Sequence, residues 1–259
     1  MMNWRRQILG VVVVTALPAL AAEIPSAERR SGYTFMTSDT KTMQDDDTSN
    51  PGMLSVLDGE ALWNAKAGLA DKSCADCHRD AGASMKGVAA RYPAFDKALG
   101  RPVDLEQRIN ICRWDHQQAS PFSNESRELL ALTAFIGKQS RGEPITTGDD
   151  AALAPFVARG HELFTQRQGQ LNLACANCHD DNWDKRLAGS PVTQAQPNGY
   201  PEYRLEWQAT GSLSRRIRSC MTGIRAQAFD AGSPEMVALE LYLMSRARGM
   251  PIETPAVRP

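Results

Sequence analysis

Apolar residues at helical spacing mark two stretches of this chain, and the second lies about a hundred residues after the first. Val56, Gly59, Leu62 and Trp63 recur as Val157, Gly160, Leu163 and Phe164 at an offset of 101, and steps of three and four place each set on one helix face. A glycine within such a stripe lets a second helix come close. Farther on, "ELLALTAFIGKQSRGEPI" (128–145) lies over "EMVALELYLMSRARGMPI" (235–252) at an offset of 107. There Leu129, Leu132, Phe135 and Ile136 match Met236, Leu239, Tyr242 and Leu243, a second amphipathic helix in each half. Between these pairs, "YPAF" (92–95) matches "YPEY" (200–203) and "LEQRINIC" (105–112) matches "LSRRIRSC" (213–220) at an offset of 108, so the second half carries seven extra residues upstream of them.

Each repeat thus predicts a helix, loops, a short helix and a terminal helix. The Gly, Pro and Asp residues of "RGEPITTGDDAALAP" read as the linker, which divides the chain into units at 53–150 and 151–259. Residues 22–52 are polar and aperiodic, and predict an extended arm that covers a neighbouring surface. At the start, Arg5 and Arg6, the apolar run Ile8–Leu17 and Ala19-Leu20-Ala21 predict a signal peptide over 1–21, cleaved after Ala21. The run is too short to span a bilayer comfortably, so an exported, soluble protein is expected.

A net charge of −1 gives no sign of nucleic-acid binding, and an aromatic content of 7% leaves each unit in need of something else to fill its core. Six cysteines in an exported chain would ordinarily suggest disulfides, but four of them lie in "CADCH" (74–78) and "CANCH" (175–179). C-x-x-C-H is the attachment pattern of c-type haem: two thiols three positions apart add to the porphyrin vinyl groups, and the adjacent histidine supplies an imidazole to the iron. Covalent haem is therefore expected at Cys74, Cys77 and His78 and again at Cys175, Cys178 and His179. Zinc sites need ligand pairs within one site, which two motifs 101 residues apart do not favour. The predicted fold is all-α: two tandem class I cytochrome c-like domains with covalent haem, preceded by the extended arm.

The repeat also nominates the second axial donors. Met85 falls opposite Arg186, Met221 opposite Arg113, His116 opposite Ile224 and His161 opposite Glu60, whereas Cys112 falls opposite Cys220. His/Cys coordination is expected at both irons, with low potentials. A Cys112–Cys220 disulfide and His116 or Met221 as rival ligands are the alternatives. The surroundings of the two cysteines differ: Gln107, Asn110 and Gln117 become Arg215, Arg218 and Arg225, while Arg108 and Arg216 are shared. On a helix Arg216 shares a face with Cys220, and arginine can bind an oxyanion bidentately. An anionic substrate at the second site is the reading favoured over a solvated basic surface.

The two motifs, the two further cysteines, "RRIRSCMTGIRA" and the N-terminal "SGYTFMTSDTKTMQDDDTSNPG" resemble the SoxA family, the dihaem cytochrome subunit of the SoxAX complex of bacterial thiosulfate oxidation. The resemblance covers nearly the whole mature chain. It implies a periplasmic L-cysteine S-thiosulfotransferase, in which a monohaem SoxX subunit forms the heterodimer, the SoxYZ carrier presents a cysteine, thiosulfate is joined to it oxidatively, and a downstream cytochrome c accepts electrons. It also implies that Cys220 is a persulfide-bearing catalytic residue and distal ligand, Arg216 the substrate-binding arginine and Cys112 the distal ligand of the first haem. The competing readings are a dihaem electron-transfer cytochrome whose arginines dock an acidic partner, a thiosulfate dehydrogenase releasing tetrathionate, and a non-redox binding module.

Overall fold

A computed structural model describes residues 24–259, so the predicted signal peptide lies outside the described residues. The first helix, α1 (Ser38–Asp45), arises in the segment expected to be extended. The Thr37 hydroxyl caps it by accepting from the Thr40 amide, which satisfies one of the open N–H groups of the first turn. Two short 3-10 turns, Ser26–Glu28 and Gly32–Phe35, precede it. The arm is therefore folded, and it was aperiodic because hydrogen bonds rather than an apolar face secure it. Gln44 accepts from the Val257 amide at 3.0 Å, and Asn50 donates to the Pro255 carbonyl at 2.9 Å.

In the first repeat α2 (Gly52–Asn64) leads to the motif helix α3 (Cys74–His78) and the short α4 (Ala81–Ser84). The hairpin strands β1 (Ala94–Asp96) and β2 (Arg101–Val103) follow, then α5 (Leu105–Cys112), a π-type turn over Arg113–Gln117, and α6 (Arg127–Lys138). In the second repeat α7 (Ala154–Thr165) leads to the motif helix α8 (Cys175–His179). The seven extra residues account for the next feature, a hairpin of β3 (Arg186–Leu187) and β4 (Ser190–Pro191) with no counterpart in the first half. After it come β5 (Glu202–Arg204), β6 (Ala209–Gly211), α9 (Leu213–Gly223), α10 (Pro234–Arg246) and the C-terminal strand β7 (Ala256–Arg258).

The expected all-α fold needs correction, because among the described residues three small sheets accompany the helices. β1 pairs with β2, β3 with β4, and β5 is flanked by antiparallel β6 and parallel β7. Strands of two or three residues are too short to show the period-two alternation by which a strand is read from sequence.

The helix crossings come directly from the stripe glycines. α2 packs on α6 and α7 on α10. A Cβ on Gly59 would stand 2.1 Å from the Ala131 carbonyl oxygen, and one on Gly160 would stand 2.1 Å from that of Ala238. The two crossings have the same geometry, and only glycine admits it. Val56, Trp63, Leu129, Leu132, Phe135 and Ile136 build the first core; Leu163, Phe164, Met236, Leu239, Tyr242 and Leu243 build the second. A third cluster of Ala90, Ile145, Met244, Ala247 and Ile252 joins the repeats.

Candidate functional site

Both motif helices are held from two directions. At the first, the Ser73 hydroxyl accepts from the Asp76 amide at 3.0 Å, and the Asp76 carboxylate accepts from the Ser73 amide at 2.8 Å, a reciprocal cap. At the second, Ala174 lacks an acceptor and only the return half survives, from the Ala174 amide to Asn177 Oδ1 at 3.0 Å. The loop ahead of each motif is tied to the chain that leaves the helix bearing Cys112 or Cys220. The Leu69 and Ala70 amides donate to the carbonyls of Gln118 and Gln117; those of Gln170 and Leu171 donate to Arg225 and Ile224. Gly68 and Gly169, at φ +67° and +66°, make the approach possible.

The cysteines gather in two groups of three. All six are unpaired, so Cys112 and Cys220 do not form a disulfide. Burial pushes the Cys74 thiol up, and Cys112 and Cys77 stand among the neighbouring groups that affect it. Burial likewise drives Cys175 up to about 11, with Cys220 and then Cys178 contributing. Cys112 and Cys220 are thus each grouped with the motif cysteines of their own repeat. Of the rival donors, His116 is exposed in the turn after α5, and Met221 is buried in the second core.

The histidines differ. His78 is exposed, with its ring 5.7 Å from that of Trp63. His179 is more enclosed, and its Nδ1 lies 2.6 Å from the Thr193 carbonyl. A carbonyl only accepts, so Nδ1 carries the proton and Nε2 keeps its lone pair for a metal. Burial lowers the pKa of His179, with Arg246 and Arg216 lowering it further against the Thr193 bond. Arg216 therefore stands close to the second site.

The sharpest difference between the sites lies in the partners of the shared arginine. Arg108 forms an ion pair with Asp96 on β1, and against the cost of partial burial Asp96 and the Tyr92 phenol hold it charged. At the offset of 108 the position of Asp96 is Arg204, on β5. Arg204 turns to Glu202 at 3.1 Å and Glu206 at 3.0 Å. Arg216 is left with Glu206 at 3.8 Å, too long for a hydrogen bond. The other predicted arginines are engaged: Arg218 donates to the Phe229 carbonyl at 3.0 Å, Arg215 stacks on Trp207 at 4.2 Å, and Arg225 reaches Gln170 at 3.5 Å. Sequence reasoning missed Asp96, Arg204 and Glu206, although the repeat register already set Asp96 against Arg204. It also missed Arg246, whose guanidinium pairs with Asp180 beside His179 at 2.6 Å.

A family model described as SoxA/TsdA, cytochrome c domain, matches residues 58–145 and again 159–252. The chain is 41% identical over 90% of its length, and 82% of the relative, to the L-cysteine S-thiosulfotransferase subunit SoxA of Pseudaminobacter salicylatoxidans. The chain belongs to the SoxA family. The SoxA subunit of Rhodovulum sulfidophilum is 38% identical over 89% of this chain and 80% of its own. The crystal structure of SoxXA from P. pantotrophus superposes with a TM-score of 0.86 at 34% identity, covering 89% of this chain and 87% of that one.

A SoxA-family cytochrome c domain carries covalent haem c, and the donors present fit it. Each motif helix offers two thiols and an imidazole, and at the second the imidazole is already fixed in the tautomer that binds iron. Among the described residues no helix is long and apolar enough to cross a membrane.

Proposed function

We propose that this chain is the dihaem SoxA subunit of a periplasmic L-cysteine S-thiosulfotransferase, with cytochrome c domains at 53–150 and 151–259. The observation that carries the reading is the contrast between the arginines: Arg108 is neutralised by Asp96, while Arg216, on the helix that bears Cys220, lacks a close counter-ion. An anionic substrate has a site in the second repeat and none in the first.

Two haem c groups would be held through Cys74 and Cys77 and through Cys175 and Cys178, with His78 and Cys112, and His179 and Cys220, as the side chains that would donate to iron. Haem c, when bound, would supply one-electron acceptor chemistry for the two electrons that the coupling releases. Thiosulfate docks on the Arg216 guanidinium, whose forked N–H groups match an oxyanion. The outer sulfur of a Cys220 persulfide and the sulfane sulfur of thiosulfate form a bond, with loss of one proton and two electrons. The thiol of the SoxYZ carrier then attacks the thiosulfate-derived sulfur, breaking that bond. The carrier departs as a cysteine S-thiosulfonate, and its proton returns to the Cys220 persulfide. A monohaem SoxX subunit completes the heterodimer; the likeness to a SoxXA structure supports this.

Mass spectrometry of the Cys220 peptide, isolated without reductant, tests the reading. One added sulfur that reductant removes is the expected result. An unmodified thiol in active protein would instead mark a plain axial ligand and an electron-transfer cytochrome. Thiosulfate oxidation that needs no carrier and releases tetrathionate would mark a dehydrogenase.

A further inference from the structure

Arg216 is not left wholly alone, and its one acidic neighbour sits on a constrained turn. Glu206 lies between β5 and β6, where the Trp207 amide donates to the Arg204 carbonyl at 3.1 Å and that of Gln208 to Leu205 at 3.3 Å. The centre of the Trp207 ring lies 4.2 Å from the Arg215 guanidinium and 5.2 Å from that of Arg204. These contacts hold the turn from which Glu206 projects. One oxygen, Oε1, serves both arginines, at 3.0 Å from Arg204 Nε and 3.8 Å from Arg216 Nη1. Its side chain is half exposed, and that of Arg216 is 38% exposed.

We propose that Glu206 is a positioning and selectivity residue of the second site. It tethers the Arg216 guanidinium in the free protein and yields it to an incoming divalent oxyanion, while Arg204 retains the displaced carboxylate. The inference rests on the reading that Arg216 faces the substrate. An exposed ion pair contributes at most about 1 kcal/mol, so a dianion displaces it readily, whereas a singly charged ion such as chloride gains too little over Glu206 to do so. The first repeat shows the closed alternative: with a carboxylate in place of Arg204, the equivalent arginine is taken by Asp96. The exchange of Asp96 for Arg204 is what separates a site open to anions from one that is shut.

Kinetics of the complete heterodimer with its carrier test this. In Glu206→Gln the KM for thiosulfate should fall about fivefold, the factor to which ~1 kcal/mol corresponds, with a smaller change in kcat. Inhibition by sulfate should tighten by the same factor. In Arg204→Asp, which restores the first repeat's carboxylate, KM should rise about tenfold or more while the haem spectrum is retained. An unchanged or raised KM in Glu206→Gln overturns the proposal. If Arg204→Asp loses haem, Glu206→Gln alone decides. Full transfer activity in Cys220→Ala would overturn the functional reading itself; loss of activity there beside an unmoved Glu206→Gln would overturn only the role of Glu206.

Discussion

The Arg108 guanidinium is paired with the Asp96 carboxylate, one strand away from the helix that carries Cys112. Asp96 accepts from the Leu99 amide as well as from Arg108, and these hold its carboxyl below the usual carboxylate range. A carboxyl depressed in the folded protein stabilises it above the unfolded value, near pH 4, and that contribution is lost as pH falls through the folded value. Melting temperatures taken between pH 5 and 2 should therefore drop below about pH 4. Asp96→Asn should remove part of that drop and lower the melting temperature at pH 5. Equal slopes in the two proteins would mean that the pair does not contribute.

At the stripe glycines the close helix crossings carry a steric consequence. Gly59→Ala and Gly160→Ala each place a methyl group 2.1 Å from a carbonyl oxygen of the facing helix, and backbone cannot rotate away as a side chain does. Overpacking typically costs about 1–3 kcal/mol, and a clash against backbone belongs at the upper end. Denaturant midpoints should fall for both variants by similar amounts, because the crossings match. A shift in only one would show that the repeats do not share this geometry.

Much of this arrangement was legible because the sequence repeats. The register from Val56 through Cys74 and Cys112 to Ile136 located both motif helices, the helix positions of Cys112 and Cys220, and α2, α6, α7 and α10. The arm was not legible because Gln44 and Asn50 secure it by hydrogen bonds to residues more than two hundred positions away, which leave no local period. The strands were missed for being too short. The isolation of Arg216 was missed because it depends on Arg204 and Glu206 coming beside α9 in space, although the offset that pairs Asp96 with Arg204 held the clue.

Arg246 and Asp180 form an ion pair at 2.6 Å with side chains only 6% and 14% exposed. The guanidinium also lies 4.6 Å from the centre of the Phe164 ring, so it packs as well as pairs. Removing one partner of a buried pair leaves an uncompensated charge, at about 3–5 kcal/mol. Arg246→Ala should lose stability of that order, and Arg246→Lys less, because the charge stays while the planar fork is lost. Pairing Arg246→Met with Asp180→Asn should recover most of the loss. Failure of the double variant to recover would assign the cost to lost packing on Phe164.

Where the repeats meet, a cavity of about 100 Å³ is lined by acids and hydroxyls at exchanged positions. Glu106 corresponds to Ser214 and Thr133 to Glu240, so each repeat supplies one of each; the Ser214 hydroxyl is buried without a partner. Burial holds the Glu106 and Glu240 carboxyls well above their usual range, with Asp104 and Glu125 adding repulsion at both. Burial also drives Asp104 up to about 6, against amide bonds from Gln107 and Glu106 and the charge of Arg101. The sign is opposite to that of Asp96: the native state keeps protons that the unfolded chain releases above about pH 4, so stability falls as pH rises through 6 and beyond. Each such group costs up to about 1.4 kcal/mol per pH unit across its window. Glu240→Gln keeps the shape and abolishes the ionisation, so its melting temperature should exceed that of the parent at pH 8 and differ little at pH 4.5. A variant less stable at pH 8 would show that Glu240 is charged in the native protein and has a partner the cavity does not reveal.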